Sequence, residues 1–311
     1  MIEARKLRRY YKYKLSNYKD WEQRSHADSY LLYPENIGPF LSIDEVSLSK
    51  GELYTYLTNK EAKSKKGTLV ASIKGTLSQD LIQVLKKIPQ ELRKEVREVT
   101  MDMANNMSHA ITMAFPAAMQ TTDHFHVIKL ANEAIQHLRI KFRWEEMDKE
   151  IQAIKHAKEK GTKYKPFVLP NQDTLKQLLA RCRYIIVKKP NEWTESQKER
   201  AKLLFEYYPD LKKAYHHVLQ LRAVYKNLYI AEARQDLNKW LNKTQLLGIK
   251  EFNTVANTIN QRLESIMNFF LHRNTNANAE SFNAKIKLFR ANLRGVSDTD
   301  FFLFRLEKLF A

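Results

Sequence analysis

The spacing of apolar residues changes near Phe125, and this change constrains the fold more than any other feature. Before it, short apolar or alternating runs predict strands at residues 40–48, 52–58, 68–73, 96–101 and 119–122. The helical spacing of three to four residues appears between them, at residues 78–89 and 105–115. After it, helical spacing continues almost to the C-terminus. We therefore expect a mixed sheet with helices on its faces, interrupted by a long helical block.

This division predicts four segments. Residues 1–35 are a basic N-terminal arm, and residues 36–128 hold the strands and first helices of an α/β core. Residues 129–271 are an all-helical insertion, and residues 272–311 are C-terminal helices that complete the catalytic core. The order of the elements is similar to that of the RNase H-like fold. The expected class is thus α/β, an RNase H-like mixed-sheet core interrupted by a large all-α insertion.

The chain is strongly basic. Its 53 lysine and arginine residues outnumber its 35 acidic residues, which gives a formal net charge of +18. Such an excess is informative about partners rather than fold, and nucleic acid is the commonest polyanionic partner. Within the N-terminal arm, Arg8 and Arg9 either follow a phosphate backbone or belong to a solvated lead-in, and the sequence leaves both readings open.

Several classes of protein lack support. The one cysteine, Cys182, allows neither an intrachain disulfide nor a cysteine-based zinc site. Neither a glycine-rich phosphate loop nor a G-x-S-x-G element occurs, which removes support for kinases, Walker-type ATPases and α/β-hydrolases. No apolar stretch approaches the roughly 20 residues that span a bilayer, and the N-terminus lacks an apolar signal core. We expect a cytoplasmic protein with no membrane partner.

Two aspartates occupy strand positions where ligands bind in open α/β sheets. Asp44 lies inside an apolar strand, where an unpaired carboxylate is costly, and Asp102 ends a second strand. If these strands are neighbours, the carboxylates converge, and their repulsion favours a cation between them. Oxygen-only ligands favour Mg²⁺ or Mn²⁺. Asp123, at the end of a third strand, is a rival to Asp102.

A late helix, predicted from residues 274–295, carries the third acid. Its polar residues recur every three or four positions and form one stripe: Asn276, Glu280, Asn283, Lys287, Arg290 and Arg294. Its apolar stripe lies roughly opposite: Phe282, Ile286, Phe289 and Leu293. Glu280 among amides and bases is the pattern of a metal ligand beside a DNA backbone, although a solvated amphipathic helix has the same periodicity.

Two further signals are weak. His124 and His126 form an H-x-H pair, which without other nearby ligands is poor support for zinc and favours a place in the wall of an active site. Trp193 and Trp240 are expected to pack in a core rather than stack on a nucleotide base.

Four segments together resemble the DDE transposases of bacterial insertion sequences, most closely the ISL3 group. They are SIDEVSL from residue 42, VTMDMANNM from residue 99, TTDHFHVIKLANEAIQHLR from residue 121 and NTNANAESFNAKIK from residue 274. That group has an Asp-Glu pair on its first strand, a strand end reading Asp-Met, an Asp-x-Phe-His segment and a late N-x-x-x-E-x-x-N helix. The resemblance covers about residues 38–311.

The resemblance implies that Asp44, Asp102 and Glu280 form a catalytic triad that holds two Mg²⁺ (or Mn²⁺) ions. The implied activity is hydrolysis of transposon-end DNA followed by transesterification into target DNA. The residues implied near the site or in its wall are Glu45, Asp123, His126 and Asn283. The residues expected to contact DNA phosphates are Lys287, Arg290, Arg294, Arg8 and Arg9.

Larger members of this group carry zinc-binding and helix-turn-helix segments before the catalytic core, whereas about 35 residues precede it here. We therefore expect a shortened or split form, whose partners are transposon-end and target DNA and a separate DNA-recognition polypeptide. A homodimer on DNA, in the bacterial nucleoid, is expected. The alternatives are a non-catalytic DNA-binding or assembly protein, and another RNase H-like nuclease such as a junction resolvase.

Overall fold

The computed structural model describes residues 4–49 and 51–311, with the side chains of residues 4, 5 and 49 left aside. The first three residues of the predicted N-terminal arm lie outside this description. The chain folds into two units, Met1–Asp123 with Leu271–Ala311, and His124–Phe270. The first contains a mixed sheet and the second is helical. The predicted class, an RNase H-like α/β core with a large helical region, is confirmed.

One sheet contains all the strands of the described chain. They are β1 (Tyr30–Leu32), β2 (Phe40–Ser49), β3 (Glu52–Asn59), β4 (Leu69–Lys74), β5 (Glu98–Met101) and β6 (Met119–Thr122). The order across the sheet is β1-β4-β3-β2-β5-β6. The pairs β1–β4, β4–β3 and β3–β2 are antiparallel, and β2–β5 and β5–β6 are parallel. Because β5 and β6 run in the same direction, the residues that follow them leave the sheet at one edge.

In chain order the helices of the described residues are α1 (Ala4–Tyr10), α2 (Ser78–Leu85), α3 (Gln90–Glu95), α4 (Asn105–Ala114), α5 (His124–Glu159), α6 (Leu175–Arg181), α7 (Glu195–Tyr207), α8 (Pro209–Val224), α9 (Ile230–Leu247), α10 (Lys250–Gln261), α11 (Leu263–His272), α12 (Ala277–Asn292) and α13 (Thr299–Phe310). Short 3₁₀ and π turns connect some of them. The predicted helices at residues 78–89 and 105–115 correspond to α2 and α4, whereas α3 was not predicted.

Successive residues of a strand point to opposite faces of the sheet, and each face has its own core. Leu41 and Ile43 of β2 lie in an apolar cluster with residues of α2 and α4. Val46 and Leu48 of the same strand lie in a second cluster with residues of α12 and α13.

The N-terminal segment contributes to this second core. Tyr18 and Trp21 are buried in it, and the Trp21 indole contacts the carboxylate of Glu307 on α13. The Tyr33 hydroxyl also donates to Glu307, at 2.7 Å. The predicted basic arm therefore includes packed residues and the short strand β1. A strand of three residues is too short to show a period in the sequence.

The helical unit has a buried aromatic core. His217 stacks on Trp240 with ring centroids 4.3 Å apart, and the Trp240 indole donates to the His217 carbonyl at 2.9 Å. Burial lowers the pKa of His217 to about 4, with a smaller effect from the Lys243 charge. Trp240 is 2% exposed, which confirms its expected place in a core. Trp193 is half-buried, and its ring stacks on Tyr215 at 5.5 Å.

None of the described helices combines the length and the apolar composition needed to cross a membrane.

Candidate active site

Asp44 lies in the middle of β2, on the face of the sheet that packs against α12. Its Oδ2 accepts a hydrogen bond from Asn283 Nδ2 at 2.7 Å, and its Oδ1 accepts one from the backbone N–H of Glu45 at 2.8 Å. The side chain is half-buried, so it is held by an amide but keeps access to solvent. This arrangement suits a carboxylate that must stay charged at a partly dry surface.

Helix α12 lies along β2 through two polar contacts. Besides the bond from Asn283 to Asp44, Arg290 Nη1 donates to the Ser47 carbonyl at 3.0 Å. Glu280 is exposed and stands one helical turn before Asn283, on the same side of the helix. The polar stripe predicted on this helix is therefore not wholly open to solvent, because Asn283 and Arg290 face the strand.

Asp102 follows β5 at the edge where the parallel strands end. Its Oδ1 accepts from the backbone N–H of Ala104 at 2.8 Å, which holds the carboxylate in a turn before α4. Nearby, the pKa of Glu45 is raised, first by burial and then by the negative charge of Asp102, with a smaller effect from Asp44. A hydrogen bond with Asn106 partly opposes this rise. Negative charge thus accumulates between the middle of β2 and the end of β5, the condition under which a cation is stabilising.

Asp123 follows β6 and is 1% exposed. Its backbone N–H donates to the Met101 carbonyl at 3.0 Å, which extends the pairing of β5 and β6. One of its carboxylate oxygens lies within 4.8 Å of a carboxylate oxygen of Glu280. This proximity strengthens Asp123 as a rival to Asp102, and the triad predicted from sequence stays a prediction.

A buried lysine beneath these acids was not anticipated from the sequence. Lys60 is 6% exposed, its ammonium contacts the Thr100 hydroxyl, and it lies 3.9 Å from Glu98 Oε1. Burial lowers the pKa of Lys60 to about 8, against the opposing charges of Glu98 and Asp123. Lys60 directly follows β3 in a polar run, and nothing in its spacing marks it as buried.

The Lys60 pair also anchors the segment that leads into α12. Asn274 Nδ2 donates to Glu98 Oε2 at 2.8 Å, and Asn278 Nδ2 donates to the Lys60 carbonyl at 3.1 Å. Both asparagines precede Glu280 by two turns or less. The buried pair therefore helps to set the position of the helix end that carries Glu280.

Amide groups near Glu280 are buried without a protein partner among the described residues. Both side-chain polar atoms of Asn276 and the Oδ1 atom of Asn283 are in this state. Since an unpaired buried amide is costly, such atoms point to a ligand or water at the site. Carboxylate and amide oxygens are hard donors that suit Mg²⁺ or Mn²⁺. The residues present therefore fit a hard divalent cation.

The two histidines predicted near the site stand in the first turn of α5, which belongs to the helical unit. The His124 ring lies 5.1 Å from the Phe269 ring and 5.5 Å from the Tyr225 ring, so it packs in that unit's aromatic core. His126 is half-buried.

The basic residues predicted to contact DNA differ in exposure. Lys287 and Arg294 are exposed, whereas Arg290 is half-buried and donates a hydrogen bond to the Ser47 carbonyl. Arg8 Nη1 donates to the Ser297 hydroxyl at 3.1 Å, and Arg9 is exposed. An open groove of about 490 Å³ beside α1 is lined by lysine, arginine and tyrosine alone: Lys6, Arg9, Tyr10, Tyr13, Lys14 and Lys19.

Comparison with known proteins gives one family. Residues 41–306 match the family model of ISL3-type DDE proteins, described as "Transposase". The chain is also 26% identical over 253 residues to the transposase for insertion sequence element IS1557 of Mycobacterium tuberculosis, in strains CDC 1551 / Oshkosh and H37Rv. These alignments cover 80% of this chain and 54% of each relative, so the chain spans about half the length of the curated relatives it matches. No solved structure matches.

Proposed function

This chain belongs to the transposase family of the ISL3-type DDE proteins, and from that premise we propose that it cleaves the DNA ends of an insertion sequence and joins the freed 3′ ends to target DNA. The observation that carries the proposal is the contact between Asp44 on β2 and Asn283 on α12. It links the first predicted catalytic strand to the helix turn that bears Glu280. The helical unit would be the insertion that interrupts this core.

We assign Asp44, Asp102 and Glu280 as the ligands of two Mg²⁺ or Mn²⁺ ions, with Asp123 as the alternative to Asp102. When bound, such ions activate water and stabilise the charge on the leaving 3′ oxygen. The carboxylates position the cations and need not take a proton themselves. Asn283 holds the Asp44 carboxylate in place.

The basic side chains would align the DNA. Lys287 and Arg294 are exposed beyond Glu280 on or just after α12, where each can neutralise a phosphate. Arg9 in the groove beside α1 offers a second contact for the backbone. Phosphate contacts of this kind carry no sequence information, so recognition of the element's ends would rest on other segments or another polypeptide. The proposed partner is DNA, which a dimer of this chain would bind.

The decisive experiment compares Asp102→Asn with Asp123→Asn. Each is an isosteric change that removes one charge. For both variants we would measure Mn²⁺ binding by calorimetry, DNA binding, and cleavage of DNA that carries the ends of the insertion sequence encoding this chain.

If Asp102 is the second ligand, Asp102→Asn loses cleavage by about a thousandfold or more while DNA binding remains. In that case Asp123→Asn retains most of the activity. The reverse result would move the assignment to Asp123. Cleavage at the wild-type rate by both variants would refute a metal-dependent nuclease built on these acids.

A further inference from the structure

Helix α5 carries an apolar stripe that its own unit leaves uncovered. Five residues recur at spacings of four, three, four and three: Ile140, Trp144, Met147, Ile151 and Ile154. Met147 is half-buried, and the other four are exposed: Ile140 by 39%, Trp144 by 63%, Ile151 by 49% and Ile154 by 45%. The spacing is that of the a and d positions of a coiled coil. These five residues are called the α5 seam below.

The contacts of α5 within the helical unit lie on roughly the opposite side of the helix. Phe142 packs against Tyr208 with ring centroids 5.3 Å apart, and Arg139 Nη1 donates to the Leu179 carbonyl at 2.8 Å. Glu150, at the edge of the α5 seam, forms an ion pair with Lys176. The helix thus has one side used by its own unit and a second apolar side facing water. An exposed apolar stripe that includes a tryptophan is typical of a protein interaction site.

The charged residues that flank the α5 seam are complementary to a second copy of the same helix. Lys141, Asp148 and Lys155 occupy the e positions, and Arg143 and Glu150 occupy the g positions. In a parallel pair, a g residue faces the e residue five positions later on the other helix. Arg143 would then face the partner's Asp148, while Glu150 keeps its ion pair with Lys176 of its own unit. The two symmetry-related Arg143–Asp148 pairs of this alignment both join opposite charges.

We propose that the α5 seam is a self-association surface, on which α5 of a second copy docks in parallel as a two-stranded coiled coil. The occupant is a second copy because the flanking charges complement themselves. The seam covers roughly 21 Å of helix at 1.5 Å per residue, about two heptads. That is short for a coiled coil, so the dimer exchanges with monomer in solution. The interface gives the proposed transposase a way to bring two active sites together.

The first test is sedimentation velocity of the whole chain over a wide range of concentration. The wild type is expected to show a reversible monomer–dimer equilibrium. Ile151→Glu should raise the dissociation constant by roughly 100-fold or more, because each dimer would bury two carboxylates in the seam. Gln152→Glu, at the adjacent exposed position outside the seam, should change it by less than about threefold.

The flanking charges provide the second test. Arg143→Glu should weaken the dimer roughly tenfold, and adding Asp148→Arg should restore most of the affinity because the pairs re-form with reversed sign. All these side chains are exposed, so far-UV circular dichroism and thermal unfolding should match the wild type. A chain that stays monomeric at every concentration, or a dimer unaffected by Ile151→Glu, would overturn the proposal. Neither measurement uses DNA or metal, so failure here leaves the proposed chemistry standing.

Discussion

The two faces of the central sheet are made from alternate residues of the same strands, yet they differ in chemistry. On the face packed by α2 and α4, Ile43 and Val99 lie in a continuous apolar core. On the other face, Asp44 meets Asn283, and Thr100 meets a buried lysine. Two residues adjacent in the chain can therefore lie in different physical environments, as Ile43 and Asp44 do.

The difference has an energetic meaning. The apolar face gains stability from burial, at about 25 cal/mol per Å² of apolar surface. The polar face must desolvate Lys60 and Glu98, and such a pair recovers that cost only in part. We therefore expect substitutions on the apolar face to change stability, and substitutions of the acids on the other face to change activity.

The largest effect is expected for Asp44→Asn. It should lower DNA cleavage by about a thousandfold or more because the proposed cation site loses one charged ligand. The single amide oxygen of an asparagine can keep only one of the two hydrogen bonds that Asp44 accepts, from Asn283 and from the Glu45 N–H, so the free energy of unfolding should fall by about 1 kcal/mol. Cleavage rates in Mg²⁺ and urea unfolding measure the two quantities. A variant that lost stability and activity in parallel would abolish the separation between the faces.

The second effect concerns the buried pair. Glu98→Gln leaves Lys60 as a buried cation without its anion and should lower the free energy of unfolding by about 1–2 kcal/mol at neutral pH. Adding Lys60→Met should recover most of this loss, because it removes the unpaired charge. Glu61→Gln, at an exposed acid nearby, is the matched control and should change stability by less than about 0.5 kcal/mol. Urea unfolding of the four proteins measures these effects, and equal effects of the two glutamate substitutions would count against a buried ion pair.

The third prediction follows from the lowered pKa of Lys60. Below about pH 8 the amine is protonated in both states, and it contributes no pH dependence. From about pH 8 to 10.5 the unfolded state holds the proton and the folded state does not. Unfolding therefore becomes harder as pH rises through this window, by roughly 3 kcal/mol from this group. The measurement is the difference in unfolding free energy between wild type and Lys60→Met across the window. A constant difference would show that the amine titrates normally.

The smallest effect is expected on the apolar face. Ile43→Val removes one buried methylene and should lower the free energy of unfolding by about 1 kcal/mol. DNA cleavage well below the unfolding temperature should stay at the wild-type rate. Thermal unfolding and a cleavage assay on the same preparation suffice. A large loss of activity here would mean that the catalytic face depends on fine packing across the sheet.

The sheet was largely predictable because its strands are short apolar runs with clear ends. Residues 119–122 were predicted as a strand and form β6 with the same limits. The helical content of the second unit was predictable, but the positions where one helix ends and the next begins were not. Helical apolar spacing predicts one continuous helix over residues 211–244, whereas α8 ends at Val224 and α9 begins at Ile230. In the break, the Asn227 amide donates to Asp236 at 3.0 Å, a side-chain contact that apolar spacing does not encode.

The candidate site was predictable only in part. The polar stripe of α12 identified Asn283 and Glu280 as a pair, but not that Asn283 would meet a strand residue 239 positions earlier. Contacts this distant depend on the topology of the sheet rather than on local pattern. Lys60 lay among exposed lysines in the sequence, and its burial arises from the fold alone.

The two polar contacts between α12 and β2 also limit insertions and deletions within α12. They lie two helical turns apart, at Asn283 and Arg290. One residue inserted between them would turn the rest of the helix by about 100° and advance it by about 1.5 Å, so both contacts could not persist. Residues 160–166, in contrast, are mostly exposed and carry no regular structure beyond a turn. We expect an epitope tag to be accepted there, and a single added codon in α12 to be lost by selection.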